Sequence, residues 1–161
     1  MADAERESSG RSVIARLLAT WFGCGYVPYA PGTAGTLGAI PLYLALRPCG
    51  HAAVAFAALV LTGVGIWAAN VFASELGQKD PQVIVIDEVA GVLLTLSVAP
   101  PTWAALAAGV VLFRVFDQTK PWPAGPAERN LPGGWGIVLD DVAAGVWGAL
   151  GLAALHAAGI L

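Results

Sequence analysis

VAGVLLTLSVAPPTWAALAAGVVLF (residues 89–113) carries no charge and is long enough to cross a bilayer once. How it is read decides the fold, because Pro100-Pro101 interrupts it near the middle. A proline ring removes one N–H and disfavours helix at the residue before it, so two in succession stop a helix. The turn-tolerant Ser97-Val98-Ala99 leads into the pair. The stretch therefore reads as a helical hairpin, 83–98 going in and 103–116 coming back. Both arms are short, so the hairpin is expected to be re-entrant or packed inside the protein. A single span would place Asp87-Glu88 on the opposite side from Asp117; the hairpin places them together.

Working outward, two more charge-free gaps appear, 27 residues after Arg47 and 20 after Asp141. The 161 residues are 57% hydrophobic and only 12% charged, about half the charge of a soluble domain. Three gaps of spanning length are hard to bury in so small a globule. The clearest span is 51–74, and the last is about 141–158. A short apolar helix is expected over 36–46, ending before Pro48. An amphipathic interfacial helix is expected over 13–22, with Arg16 and Trp21 suited to a headgroup zone. Residues 1–12 read as a disordered tail and 13–161 as one membrane-embedded domain. The expected fold is thus all-α and polytopic, with four to five apolar helices and Gly-rich loops.

In this topology all 11 acids and seven of the eight Lys/Arg residues share one side, Arg47 being the exception. The positive-inside rule makes that side cytoplasmic. The start, MADAERESSGR, lacks a signal-peptide pattern. A net charge of −3 excludes the basic footprint of a nucleic-acid binder. Cys24 and Cys49 have no metal or redox spacing.

The acids fall at junctions between polar and apolar sequence: Asp87-Glu88 in VIVIDEVAG (83–91), Asp117 in FRVFDQTKP (113–121), and Asp140-Asp141 in GIVLDDVAAG (136–145). An acid at a helix N-terminus caps free N–H groups, which accounts for one member of each pair. It does not account for the second member, nor for Asp117, read here at a helix C-terminus where negative charge is disfavoured. A shared divalent metal accounts for all of them, and Mg²⁺ favours a few carboxylates plus substrate phosphate oxygens. Arg114 and Lys120 are the nearby cations for the remaining phosphate oxygens. PGTAGT (31–36) is read as a backbone nest with Thr33 and Thr36 hydroxyls, or as a helix-capping turn. NLPGGWG (130–136) is a second Gly-rich loop, a lid or a turn. His51 and His156 fall toward the opposite face or the C-terminal end, and phosphatase motifs built on Cys or on DxDxT are missing. Metal-assisted attack by water, or by an acid through a phospho-enzyme, is what remains. A cation-binding membrane protein without enzymatic activity is the rival reading.

GYVPYAPGTAGTLGAIP (25–41), DPQVIVIDEVAG (80–91), FRVFDQTKPWP (113–123) and ERNLPGGWGIVLDDVAAGV (128–146), in this order and spacing, resemble the phosphatidylglycerophosphatase A family. The resemblance covers about residues 20–149. It implies an all-helical, Mg²⁺-dependent lipid phosphatase of the bacterial inner membrane, acting at the cytoplasmic face. Its implied reaction converts phosphatidylglycerophosphate to phosphatidylglycerol and inorganic phosphate; another lipid phosphomonoester is the alternative substrate. The family's acidic motifs fall on Asp80, Asp87, Glu88, Asp117, Asp140 and Asp141, its basic position on Lys120, and its Gly-Thr motif on Gly32, Thr33, Gly35 and Thr36. Gln118-Thr119 stands where the resemblance implies a bulkier apolar or aromatic residue, and Glu128 where Asp is common.

From these readings Asp87, Asp117, Asp140 and Asp141 are the expected metal ligands, and Glu88 the expected general base or a further ligand. Asp87, Asp117 and Lys120 are further catalytic candidates. Gly32, Thr33, Gly35, Thr36, Arg114, Lys120 and Asn130 are expected to contact substrate. Trp103, Trp122 and Trp135 are expected at the membrane interface.

Overall fold

The computed structural model describes the backbone of residues 2–161 and the side chains of residues 10–161. Eight α-helices follow one another among them: α1 (Ala2–Ala19), α2 (Pro31–Gly38), α3 (Ile40–Leu46), α4 (His51–Leu76), α5 (Ile86–Leu96), α6 (Trp103–Thr119), α7 (Ala124–Asn130) and α8 (Gly133–Ala157). Two single 3-10 turns, Cys24–Tyr26 and Arg47–Cys49, bridge α1 to α2 and α3 to α4. No strand occurs among the described residues.

The break at Pro100-Pro101 is where the proline chemistry puts it. α5 ends at Leu96, and α6 starts after Thr102, whose side chain accepts from Ala105 N at 3.1 Å. α5 and α6 form the expected hairpin. At about 1.5 Å per residue, the 11 residues of α5 reach only about 16 Å, half the hydrocarbon thickness. Nine of those 11 residues are buried, so α5 is an internal helix walled by α4, α6 and α8.

The expectation of four to five apolar membrane helices is corrected. Among the described residues only α4, with 26 residues, and α8, with 25, are long and apolar enough to cross a membrane. α2 and α3 are each under nine residues, and α5 is enclosed. The apolar run over 36–46 is split at Ala39, where α2 gives way to α3. α1 takes the place of the interfacial helix and is drawn from Ala2, across part of the expected tail. Met1 and the side chains up to residue 9 lie outside the described residues.

Small residues bring the central helices together. A Cβ on Gly145 of α8 would stand 2.5 Å from the Gly91 carbonyl oxygen of α5, and one on Gly148 2.5 Å from Thr95 Oγ1. Only glycine allows this approach, and the Thr95 hydroxyl uses it to donate to Gly145 O at 3.0 Å. The face Asp87–Gly91–Thr95 thus lies along the face Asp141–Gly145–Gly148, which brings their acidic ends together.

Two features fix the ends of the bundle. Arg47 donates to Pro101 O and the His51 ring pairs with Ser97 O at 2.7 Å, so the hairpin turn and the start of α4 share one end. At the other end α1 docks on α4, its Arg16 5.5 Å over the Phe72 ring and 3.8 Å from Glu75. Val85 N then donates to Ala19 O at 2.8 Å, pinning the loop that launches α5.

Candidate active site

Asp87 and Glu88 occupy the first turn of α5, where a negative charge suits the helix dipole. Asp117 lies in the last turn of α6, two residues before its end, where the dipole disfavours it. Asp140 and Asp141 sit eight and nine residues into α8. This corrects the reading that they open a helix: α8 starts at Gly133, whose φ is 54°, and Asn70 of α4 caps it by accepting from Gly134 N at 2.7 Å. NLPGGWG is therefore not a lid: Asn130 ends α7, Leu131-Pro132 make a short bend, and α8 runs from Gly133.

The five acids line one open cavity of about 790 Å³ together with Arg114, Gln118, Lys120, Gly32 and Thr33. Asp87, Asp117, Asp140 and Asp141 are each less than a tenth exposed. Two of the five are neutralised. Arg114 Nη1 lies 2.8 Å from Asp117 Oδ2, and Lys120 Nζ lies 2.7 Å from Asp140 Oδ2. Lys120 also holds Glu128 Oε1 at 2.9 Å. Burial by itself would lower the Lys120 pKa, but its hydrogen bonds to Asp140 and Glu128 outweigh that and hold the ammonium above its ordinary value.

The other three acids, Asp87, Glu88 and Asp141, each offer an oxygen within 4.8 Å of the others. Their nearest cation is Arg114, 3.9 Å from Glu88 Oε1 and out of hydrogen-bond alignment. Glu88 Oε2 is buried with no hydrogen-bond partner. Three crowded carboxylates with one orphaned oxygen fit a hard divalent cation. Asp117 is within electrostatic reach of both Glu88 and Asp141, and so borders the trio without joining it. Of the four expected ligands, then, the geometry groups Asp87 with Asp141, adds Glu88, and turns Asp117 and Asp140 toward their own cations.

Gly32 approaches this trio closely, since a Cβ there would lie 2.1 Å from Glu88 Oε1. PGTAGT forms neither of the two arrangements read from its sequence, a nest or a capping turn: residues 31–38 are helix, with Pro31 at its first position. Thr33 is exposed on the cavity rim. Thr36 is fully buried and donates to Gly32 O at 2.8 Å, while Gly35 packs against Val85, so neither faces the cavity. Asn130 is exposed at the end of α7, outside the cavity lining.

Asp80 lines the cavity from the loop before α5. Burial raises its pKa most; Lys120 opposes this, Glu128 adds to it and Lys79 opposes it. His51 and His156 are engaged elsewhere, with Ser97 O and Leu161 O. Trp103, Trp122 and Trp135 are exposed, as interfacial residues would be. Sequence reasoning missed two side chains. Glu128 completes the Lys120 clamp, and Gln118 donates to Asp117 Oδ2 at 3.4 Å. Both had been noted only as departures from an expected residue.

Residues 17–156 match the family model described as Phosphatidylglycerophosphatase A. The chain is 38% identical to an Escherichia coli protein named Phosphatidylglycerophosphatase A, over 81% of this chain and 76% of the relative. It is 36% identical to a Haemophilus influenzae protein of the same name, over 81% of this chain and 82% of the relative. It is 43% identical to a Bacteroides thetaiotaomicron protein provisionally named a phosphatidylinositol-3-phosphatase, over 81% of this chain and 86% of the relative. No solved structure matches it.

Proposed function

The chain belongs to the phosphatidylglycerophosphatase A family, and we propose that it hydrolyses the terminal phosphomonoester of phosphatidylglycerophosphate in a Mg²⁺-dependent reaction. The products are phosphatidylglycerol and inorganic phosphate. The observation that carries the chemistry is the trio Asp87, Glu88 and Asp141 beside the two cations Arg114 and Lys120. An acidic cavity repels a phosphate, so these carboxylates favour substrate only with a bridging cation. Asp87, Glu88 and Asp141 would hold that Mg²⁺, which when bound supplies a Lewis acid for the phosphate oxygens.

The side chains of this chain do the rest. Lys120, held protonated by Asp140 and Glu128, presents a fixed positive charge to the phosphoryl oxygens as they gain charge. Arg114, anchored on Asp117, offers a planar fork to the same group. With Glu88 taken up as a ligand, we assign the proton of the attacking water to Asp117, which borders the trio. Water oxygen bonds to phosphorus, the bond from phosphorus to the glycerol oxygen breaks, and that oxygen leaves as the alcohol by taking up the proton that Asp117 accepted.

The setting is the bacterial inner membrane, with α4 and α8 crossing it and the acid end facing the cytoplasm. The positive-inside balance of the sequence supports that orientation. The 43% identical relative favours a second reading, a phosphomonoester on an inositol lipid. Two relatives and the family model favour the glycerol headgroup.

The deciding experiment is phosphate release by the purified protein from phosphatidylglycerophosphate and from phosphatidylinositol 3-phosphate, with and without Mg²⁺. Mg²⁺-dependent release from the first at a higher kcat/KM supports the main reading. Preference for the second installs the other, and release from neither defeats both.

A further inference from the structure

On the surface of α6 beside the acid cavity lies a second, shallower groove of about 440 Å³. Val111, Val115 and Thr119, at the four-residue spacing that puts side chains on one helix face, form its wall with Val110 beside them. Val111 is 60% and Val115 49% exposed, so this face is unpartnered within the chain. Arg114 and Gln118 line both this groove and the acid cavity. The two spaces therefore adjoin at these side chains, one almost wholly apolar and the other acidic, with a guanidinium and an amide at the border. Exposed apolar residues elsewhere, such as Phe56 and Leu59 of α4, have no such connection to the acids.

We propose that this α6 groove receives an acyl chain of the lipid substrate while the headgroup passes Arg114 and Gln118 into the acid cavity. The inference rests on the lipid phosphatase reading and deepens it. The occupant follows from the shared border. A molecule with its phosphate at the trio must leave the cavity somewhere, and this exit has an apolar wall and a cation at its lip. The lipid's phosphodiester lies between the headgroup glycerol and the acyl chains and so passes this lip, where the guanidinium that faces the terminal phosphate also supplies positive charge. Gln118 adds amide donors for the glycerol hydroxyl.

The test compares long-chain with dihexanoyl phosphatidylglycerophosphate in detergent, using full-length wild type, Val111→Trp and Val115→Trp. Phe56→Trp on α4 is the control. Filling the groove is expected to lower kcat/KM on the long-chain lipid about tenfold, through KM, and to leave the short-chain value within about twofold. The control is expected to match wild type on both. Equal losses on both lipids, or no loss on either, would overturn the proposal while leaving the phosphatase reading standing. A wild type inactive on both lipids would defeat the phosphatase reading and the groove with it. Should a tryptophan variant misfold, wild type labelled with a photoreactive acyl chain still decides. Labelling concentrated on 110–119 supports the groove, and labelling spread evenly over α4 and α6 overturns it.

Discussion

Lys120 Nζ lies 2.7 Å from Asp140 Oδ2, and this pairing divides the acids of the cavity into two kinds. Asp140 and Asp117 are matched by cations at under 3 Å, whereas Asp87, Glu88 and Asp141 are not. Charge balance thus ranks the five without reference to their order in the sequence.

The ranking predicts unequal damage. Asp87→Asn, Glu88→Gln and Asp141→Asn are each expected to cut phosphate release by about 100-fold or more, the effect of losing a direct ligand being at least that of losing its support. Asp140→Asn, which leaves the trio intact, is expected to cost less. Steady-state rates beside circular dichroism would check this, and equal damage from Asp140→Asn and Asp141→Asn would refute the division.

Cation removal should be visible without any substrate. Three crowded carboxylates repel one another, so a bound cation stabilises the folded state by mass action, by about 2.7 kcal/mol at 100 times its Kd. Thermal unfolding in detergent should shift upward with Mg²⁺ and fall with a chelator, and the shift should shrink in Glu88→Gln. A melting curve indifferent to Mg²⁺, with hydrolysis undiminished by the chelator, would remove the metal from the scheme.

Lys120 gives a pH prediction. Its folded pKa is raised above the unfolded value of about 10.4, so its ion pairs are fully present below that value. They are lost only as the pH climbs through the higher folded value. The rate should therefore show no alkaline fall due to Lys120 below about pH 10. Lys120→Ala should lower kcat and raise KM across the whole range. An alkaline limb near pH 8 or 9 that disappears in Lys120→Arg would contradict this.

Two glycines should fail in different ways. At Gly32 the added Cβ meets the end of the flexible Glu88 side chain, so Gly32→Ala should fold and lose turnover. At Gly145 it meets the Gly91 backbone, so Gly145→Val should cost about 3 kcal/mol or more and lower Tm. Unfolding curves and rates measured on both variants would separate the two, and a stable, active Gly145→Val would disprove the close α5–α8 crossing.

What the sequence showed, and what it hid, follows the range of the interactions. Pro100-Pro101 ends a helix by local geometry, and so the hairpin and the shared side of Asp87, Glu88 and Asp117 were legible. The start of α8 was not, because its cap comes from Asn70, 64 residues away. Asp140-Asp141 therefore looked like a helix start when they lie two turns inside. PGTAGT looked like a nest because glycines suggest loops, yet Gly35 is small because Val85 presses on it. Which acids keep a cation was also hidden. That depends on Lys120 taking a left-handed backbone, φ 43°, at the end of α6 and turning toward Asp140 and Glu128.

α5 has almost no surface of its own: acids cap one end, a proline turn closes the other, and it packs against the four helices α2, α4, α6 and α8. Such a segment has little room for neutral drift. In a saturation library scored for growth or folding, residues 84–96 should form an intolerant block. The outward face of α4, with Phe56, Leu59 and Val60 exposed, should accept most apolar replacements. Hydropathy alone would rank these two stretches as equals; their freedom to vary would not.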